Sequence, residues 1–77
     1  MWKEENNTLS KPFHFQDFVE AFGFMTQVAI IAEKMNHHPE WSNVYNKVHI
    51  VLSTHDEGNI VTEKDKNLAI AIDKILK

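Results

Sequence analysis

The sequence predicts an α+β fold in the order ββαββα, with two helices packed on one face of a four-stranded antiparallel sheet. Three observations support this prediction. Residues 16–37 repeat apolar side chains with the period of a helix, and residues 48–55 alternate in the manner of a strand. Residues 62–65 then resemble a helix start and precede a second helical stripe. We expect a single domain covering residues 1–77.

The first 15 residues predict a β-hairpin. Asn6-Asn7 suits the turn, because Asn tolerates left-handed backbone angles. Leu9, Phe13 and Phe15 share one parity, so they can be buried on one face of the second strand. Pro12 cannot donate a hydrogen bond to a neighbouring strand, so we expect this strand to lie at an edge or to contain a bulge.

Residues 16–37 predict the longest helix, with Asp17 as its N-cap. Pro39 disfavours helical angles at His38, so the helix should end at about His37. The predicted core stripe is the following set: Phe18, Ala21, Phe22, Met25, Val28, Ala29 and Ala32. A second apolar stripe would contact a partner subunit or more of the sheet, and it consists of Phe24, Val28, Ile31 and Met35.

Residues 42–55 predict two strands joined by a turn at Asn46-Lys47. On the longer strand, one face carries Val48, Ile50, Leu52 and Thr54, and the other carries His49, Val51, Ser53 and His55. A loop around Gly58 follows, and residues 62–77 predict the last helix. Its apolar stripe is Leu68, Ala69, Ile72, Ile75 and Leu76.

Composition limits the classes of function. The apolar fraction of 43% and the charged fraction of 25% are ordinary for a soluble globular protein. The chain has no cysteine, which excludes disulfides and thiolate metal sites, and its net charge of −3 argues against nucleic-acid binding. The apolar run Val28–Ala32 is too short to span a membrane. With no signal peptide visible in the acidic first residues, we expect a cytoplasmic protein.

A cluster of histidines indicates acid/base chemistry. His37 and His38 fall where the long helix ends, and His55 falls at a strand end. Histidine exchanges protons near neutral pH, and residues at element ends often do chemical work. Glu33 precedes His37 by four residues, so its carboxylate can orient that imidazole from one turn away. The alternatives are a surface ion pair and histidines that favourably end a helix.

Other polar and aromatic residues support weaker predictions. His49 should line the solvent face of the sheet, and His14 is also expected to have no direct role. Trp41 can serve as core, interface or the wall of a flat ligand site. Asp65 is expected mainly as the capping partner of Thr62. Zinc bound by the clustered histidines is a further hypothesis, although adjacent histidines rarely ligate one metal.

Four segments closely resemble the pterin-4a-carbinolamine dehydratases, which also act as a dimerisation cofactor of a homeodomain transcription factor. The segments are Phe22–Thr26, the run Ala32-Glu33-Lys34 with His37–Trp41, Asn43–Val48, and Leu52–His55. The resemblance extends from Phe13 to the C-terminus. It implies a four-stranded antiparallel sheet with helices on one face, and sheets that join across a dimer. A homodimer or homotetramer is therefore expected, and association would also help so short a chain.

The resemblance also implies an activity. It is the loss of water from 4a-hydroxytetrahydrobiopterin to give quinonoid dihydrobiopterin, which recycles tetrahydrobiopterin, and no metal or organic cofactor is implied. By motif, the catalytic residues are His37, His38, His55, Glu33 and Asp65. The substrate-binding residues include the three histidines together with Pro39, Thr54 and Asp56. The alternative function is a protein-interaction module that acts as a dimerisation cofactor for a partner protein.

Overall fold

The computed structural model describes residues 1–77 and has the predicted α+β architecture. Four antiparallel strands form one sheet in the order β1-β2-β4-β3, and two helices complete the ββαββα sequence. A short 3₁₀ helix, His55–Glu57, lies between β4 and α2. The elements are β1 Lys3–Glu5, β2 Thr8–His14, α1 Phe18–Met35, β3 Glu40–Val44, β4 Lys47–Leu52 and α2 Glu63–Ile75.

The first hairpin forms at the predicted turn. Asn6 and Asn7 both have positive φ, at 52° and 62°, as a type I′ turn requires. The prediction that Pro12 places β2 at an edge is wrong, because β2 lies between β1 and β4. In an antiparallel ladder the N–H that Pro12 lacks would point to the same side as that of Ser10, toward β1. Pro12 is tolerated because β1 begins at Lys3, opposite Ser10, so no residue of β1 pairs with Pro12.

The second hairpin turns one residue earlier than predicted. Val44 pairs with Lys47, so Tyr45 and Asn46 form the turn in place of Asn46-Lys47, and Tyr45 has φ 51°. Asn43 Nδ2 donates to the carbonyl oxygen of Lys47 at 2.8 Å, and Asn46 Nδ2 donates to that of Phe15 at 2.9 Å. The two asparagines therefore hold this hairpin and its neighbour β2 in place.

The core lies between the sheet and the two helices. As predicted, β4 buries Val48, Ile50 and Leu52 on one face. The twelve buried apolar residues form one cluster: Leu9, Phe13, Ala21, Phe24, Val28, Ala32, Val48, Ile50, Leu52, Leu68, Ala69 and Ile72. Trp41 packs against this cluster from β3, so it belongs to the edge of the core.

The face of α1 that meets the sheet agrees with the predicted core stripe at Ala21, Val28 and Ala32 and differs from it at the phenylalanines. Phe24 is buried, with ring centroids 4.8 Å from Phe13 and 4.9 Å from Phe15. Phe18, Phe22 and Ala29, which were assigned to the core stripe, are exposed, and Phe22 is 55% accessible. Both stripes of the helix are apolar, so its own pattern cannot select between them. The aromatic side chains of β2 and the chain after it make the selection.

Capping residues define where α1 begins and ends. Asp17 caps the N-terminus as predicted, because its Oδ1 accepts a hydrogen bond from the Glu20 N–H at 2.8 Å. The helix ends at Met35, and Asn36 takes the left-handed conformation with φ 53°. The N–H of Asn36 donates to Glu33 and the N–H of His37 donates to Ala32, which is the Schellman pattern. Neither helix is long and apolar enough to cross a membrane.

Candidate active site

Three segments that are distant in the chain meet at one pocket. They are the turn that follows α1, the 3₁₀ helix after β4, and the first turn of α2. The pocket has a volume of about 180 Å³ and contains no hydrophobic lining residue. It is lined by Asn36, His37, His38, Ser53, Thr54, His55, Asp56 and Lys64. All three histidines that were singled out in the sequence therefore face one cavity.

The end of α1 determines how His37 and His38 enter this pocket. The left-handed turn at Asn36 reverses the chain directly after the helix, so neither histidine follows the helical spiral. His37 is partly buried and His38 is exposed. The abrupt exit explains how two consecutive side chains can line the same cavity.

His37 is held by a buried carboxylate on another helix. His37 Nε2 lies 2.6 Å from Asp65 Oδ1, and the Asp65 side chain is fully buried. Asp65 is the third residue of α2, and its Oδ2 accepts the Thr62 N–H at 2.9 Å to close the predicted capping box. One carboxylate thus fixes the start of α2 and the orientation of an imidazole.

The environment of Asp65 favours its charged form. Burial alone raises the pKa of this carboxyl group. Hydrogen bonds from the His37 ring, the Thr62 N–H and the Thr54 hydroxyl, together with the charge of His37, outweigh burial and lower the pKa below its ordinary value of 3.8. Asp65 is therefore ionised at neutral pH, so His37 Nε2 carries the hydrogen that joins the two side chains.

Thr54 also binds the Asp65 carboxylate. Thr54 is buried, and its hydroxyl donates to Asp65 Oδ2 at 2.7 Å. Its oxygen lies 2.7 Å from the Thr62 hydroxyl, which must be the donor because the Thr54 hydrogen is already used. Although Thr54 lines the pocket, its hydroxyl is turned inward to Asp65, which leaves no hydroxyl hydrogen for a ligand.

The expected pairing of Glu33 with His37 is wrong. Glu33 Oε1 lies 2.8 Å from His38 Nε2, while His37 pairs with Asp65. The i, i+4 geometry required a helix that continued to His37, and α1 ends at Met35. The Glu33–His38 pair is exposed, with 81% of the Glu33 side chain accessible, so solvent screens it strongly.

His55 has a neutral partner. It begins the 3₁₀ helix, so it lies past the end of β4 and not within a strand as the alternation predicted. His55 Nδ1 lies 2.5 Å from Asn59 Oδ1 across the loop. The three imidazoles of the pocket therefore have three different partners: a buried carboxylate, an exposed carboxylate and an amide.

The remaining candidates fall outside or at the rim of the pocket. Asp56 lines it, whereas Pro39 does not. His49 and His14 are exposed on β4 and β2, away from the three clustered rings, as expected. No group of three or more His, Asp or Glu side chains has a geometry that could hold a metal ion.

Sequence reasoning missed several residues that shape the site. Lys64, Ser53 and Asn36 line the pocket, and Asn59 contacts His55. Lys64 directly precedes Asp65 in the predicted capping box, so the sequence already indicated that Lys64 lies near the site. Asn59 gave no comparable signal, because its contact depends on how the loop around Gly58 closes.

Comparison with known proteins identifies relatives over almost the whole chain. Residues 1–75 match the family described as Pterin 4 alpha carbinolamine dehydratase. A protein of Prochlorococcus marinus (strain NATL2A), provisionally named a pterin-4-alpha-carbinolamine dehydratase, is 55% identical over 75 residues. That alignment covers 97% of this chain and 78% of the relative.

Two solved structures share the fold. One is the crystal structure of a transcriptional coactivator/pterin dehydratase from Brucella melitensis, with a TM-score of 0.90 and 46% identity, covering 96% of this chain and 80% of that one. The other is a pterin dehydratase-like protein that is a RuBisCO assembly factor in the alpha-carboxysome. It has a TM-score of 0.80 and 24% identity, covering 95% of this chain and 86% of that one, and it supports the fold alone.

Proposed function

Because the chain belongs to the pterin 4 alpha carbinolamine dehydratase family, we propose that it is a hydro-lyase acting on 4a-hydroxytetrahydrobiopterin. The product is quinonoid dihydrobiopterin, and the role is tetrahydrobiopterin recycling in the cytoplasm. The observation that supports this most strongly is the pocket itself. It is lined by His37, His38 and His55, and each ring is hydrogen-bonded to a separate partner.

The reaction needs one proton donor and one proton acceptor. The bond between C4a and the hydroxyl oxygen breaks, and that oxygen takes a proton and leaves as water. The N5–H bond also breaks, its electron pair forms the C4a–N5 double bond, and a base takes the proton. Positioned acid and base groups accelerate such steps typically ~10²–10⁴-fold. Side chains alone can perform both transfers, so the proposal requires no metal or organic cofactor.

The partners of the three rings suggest how the work is divided. We assign proton transfer to His37 and His55, and we assign to His38 the task of holding the departing hydroxyl or sharing its protonation. Asp65 orients His37 and provides a negative charge beside a protonated ring. Glu33 restrains His38 from the surface. Thr54 is assigned to support Asp65, while Asp56 remains a candidate contact to the pterin from the pocket rim.

A direct assay tests the proposal. Purified protein is mixed with freshly generated 4a-hydroxytetrahydropterin, and formation of the quinonoid product is compared with the uncatalysed rate. Acceleration that is unchanged by a metal chelator supports metal-free proton transfer. Acceleration that a chelator abolishes overturns the metal-free mechanism, and no acceleration overturns the proposed activity.

We also propose that the chain works as a homodimer or homotetramer. An apolar stripe on α1 that faces away from the sheet contains Phe18, Phe22 and Ile30, and Ile30 is 65% accessible. Phe18 and Phe22 are one helical turn apart, and Ile30 is eight residues further on, a rotation of about 80°, so all three lie on the half of α1 that the sheet does not cover. A twofold axis would place this stripe against the same stripe of a second copy and bury both, a contact separate from the joined sheets that the family resemblance implies.

A second candidate function is a protein-interaction module that stabilises a partner's dimer. The Brucella melitensis relative is described as a transcriptional coactivator as well as a pterin dehydratase, and the exposed stripe on α1 is the surface that would serve such a role. The two functions separate experimentally. A pure interaction module would tolerate alanine at His37 and His55, whereas the dehydratase would not.

A further inference from the structure

The loop between β4 and α2 brings Asn59 onto the His55 ring. Asn59 Oδ1 lies 2.5 Å from His55 Nδ1, four residues earlier in the chain. Both residues are exposed, so the ring is not enclosed by the core. The contact with Asn59 is the one hydrogen bond that the protein makes to this imidazole, and it opposes rotation of the ring.

The backbone of the loop holds Asn59 at this position. The Thr54 N–H donates to the Ile60 carbonyl oxygen at 2.8 Å, and the Asn59 N–H donates to the Thr54 carbonyl oxygen at 3.0 Å. Gly58 and Asn59 both take left-handed angles, with φ 88° and 60°. Glycine and asparagine are the residues that adopt this conformation most readily, so the sequence of the loop suits its shape.

The atom that Asn59 presents determines which ring nitrogen is free. An amide oxygen only accepts, so a hydrogen bond to it requires a hydrogen on His55 Nδ1. Nδ1 then remains protonated in both the neutral and the charged ring. Nε2, which has no partner within the protein, becomes the nitrogen that gains and loses a proton.

We propose that Asn59 is a positioning residue that holds His55 in the Nδ1–H tautomer, so that Nε2 exchanges the proton with the substrate. This inference rests on the proposed dehydratase function for its catalytic part. Its tautomer part concerns the protein alone and can be measured without turnover. A free histidine side chain in water prefers hydrogen on Nε2, so the Asn59 contact reverses the ordinary preference.

The test uses three variants of the full chain. Asn59→Gly removes the amide but keeps the left-handed backbone without strain. Asn59→Asp keeps an accepting oxygen of the same shape and cannot donate when ionised. Asn7→Gly is the matched control, because Asn7 has φ 62° in the first hairpin and makes no hydrogen bond to a histidine ring.

The tautomer is read from the ¹⁵N chemical shifts of the imidazole, measured well above the ordinary histidine pKa of about 6.5. We expect hydrogen on His55 Nδ1 in the wild type, in Asn59→Asp and in Asn7→Gly, and a return to the Nε2–H form in Asn59→Gly. An Nδ1–H ring in Asn59→Gly, or an Nε2–H ring in the wild type, would overturn the proposal.

Kinetics tests the catalytic part on the same proteins. We expect Asn59→Gly to lower kcat about three- to tenfold, the value of one hydrogen bond, with little change in KM. Asn59→Asp should retain most of the activity and Asn7→Gly all of it. Equal losses in Asn59→Gly and Asn59→Asp would contradict the accepting role. Absence of turnover in the wild type would overturn the proposed function, and the ¹⁵N shifts would still decide the tautomer.

Discussion

His37 and Asp65 are separated by 28 residues, yet His37 Nε2 lies 2.6 Å from Asp65 Oδ1. The other oxygen of the same carboxylate caps α2 through the Thr62 N–H. The carboxylate that caps the last helix therefore also orients a ring of the candidate active site. Replacement of Asp65 should therefore lower both the free energy of unfolding and kcat. The effect on the free energy of unfolding should also depend on pH.

Asp65→Asn is expected to lower the free energy of unfolding by about 1–3 kcal/mol at neutral pH, because the hydrogen bonds to a charged acceptor are weakened. The same variant should also lower kcat, since the neutral amide no longer stabilises a charged His37 ring. Chemical denaturation and the dehydration assay measure the two effects. Asp56→Asn is the control for the stability measurement alone, because Asp56 is an exposed acid at the same pocket.

The stability contributed by Asp65 should depend on pH in one direction. Its pKa in the folded protein is lowered from the ordinary 3.8, so the unfolded chain takes up this proton first as pH falls. The contribution is complete above about pH 3.8 and is lost as pH falls through the lower folded value. The difference in unfolding free energy between wild type and Asp65→Asn should therefore narrow below that pH. A difference that stays constant down to the acid transition would contradict the assignment.

Glu33→Gln should have a small effect, because the Glu33–His38 pair is exposed to solvent. We expect a change of at most about 1 kcal/mol in stability, and at most about a fivefold loss in kcat. The double variant Glu33→Gln/His38→Ala should be no slower than His38→Ala alone, because Glu33 acts through that ring. If the double variant instead loses the product of the two single losses in kcat, Glu33 has a role that does not depend on His38.

Phe24 and Phe22 test which face of α1 meets the sheet. Phe24→Leu should cost about 1–3 kcal/mol in the free energy of unfolding, since it removes ring contacts with Phe13 and Phe15. Phe22→Leu should cost less, because Phe22 is about half exposed in the single chain and leucine keeps an apolar surface for the proposed contact between copies. Urea denaturation of both variants gives the comparison. A larger loss of unfolding free energy for Phe22→Leu than for Phe24→Leu would support the core stripe that was predicted from the sequence.

Self-association should depend on the exposed stripe of α1. Ile30→Glu would place a charge at the contact between two copies, so the measured mass should fall toward that of the single chain. Ile70→Glu is the control, as Ile70 is a similarly exposed apolar residue on α2. Analytical ultracentrifugation over a range of concentrations measures both. A wild type that remains monomeric at the highest concentration would exclude the proposed assembly.

Periodicity was sufficient to predict the architecture. The alternation over β4 identified its buried face, Asp17 and Thr62 identified both helix starts, and Asn6-Asn7 identified the first turn. These signals are local, because each depends on residues a few positions apart. The fold class follows from them by the packing of helices on one face of a sheet.

The errors concern contacts that local patterns do not encode. The partner of His37 is 28 residues away, and the left-handed turn at Asn36 removes His37 from the helical register that linked it to Glu33. Pro39 indicated that the helix must end, but the turn begins one residue after Met35. Similarly, β2 selects which apolar stripe of α1 is buried. The gathering of His37, His38 and His55 was expected from the family resemblance and from their places at element ends.

The central claim is that the three pocket histidines perform the dehydration. The most direct test measures kcat for 4a-hydroxytetrahydropterin with alanine at His37, His38 or His55, and His49→Ala serves as a histidine control outside the pocket. We predict a loss of ~10²–10⁴-fold for the rings that transfer protons, and wild-type turnover for His49→Ala. Full activity without His37 and without His55 would contradict the account.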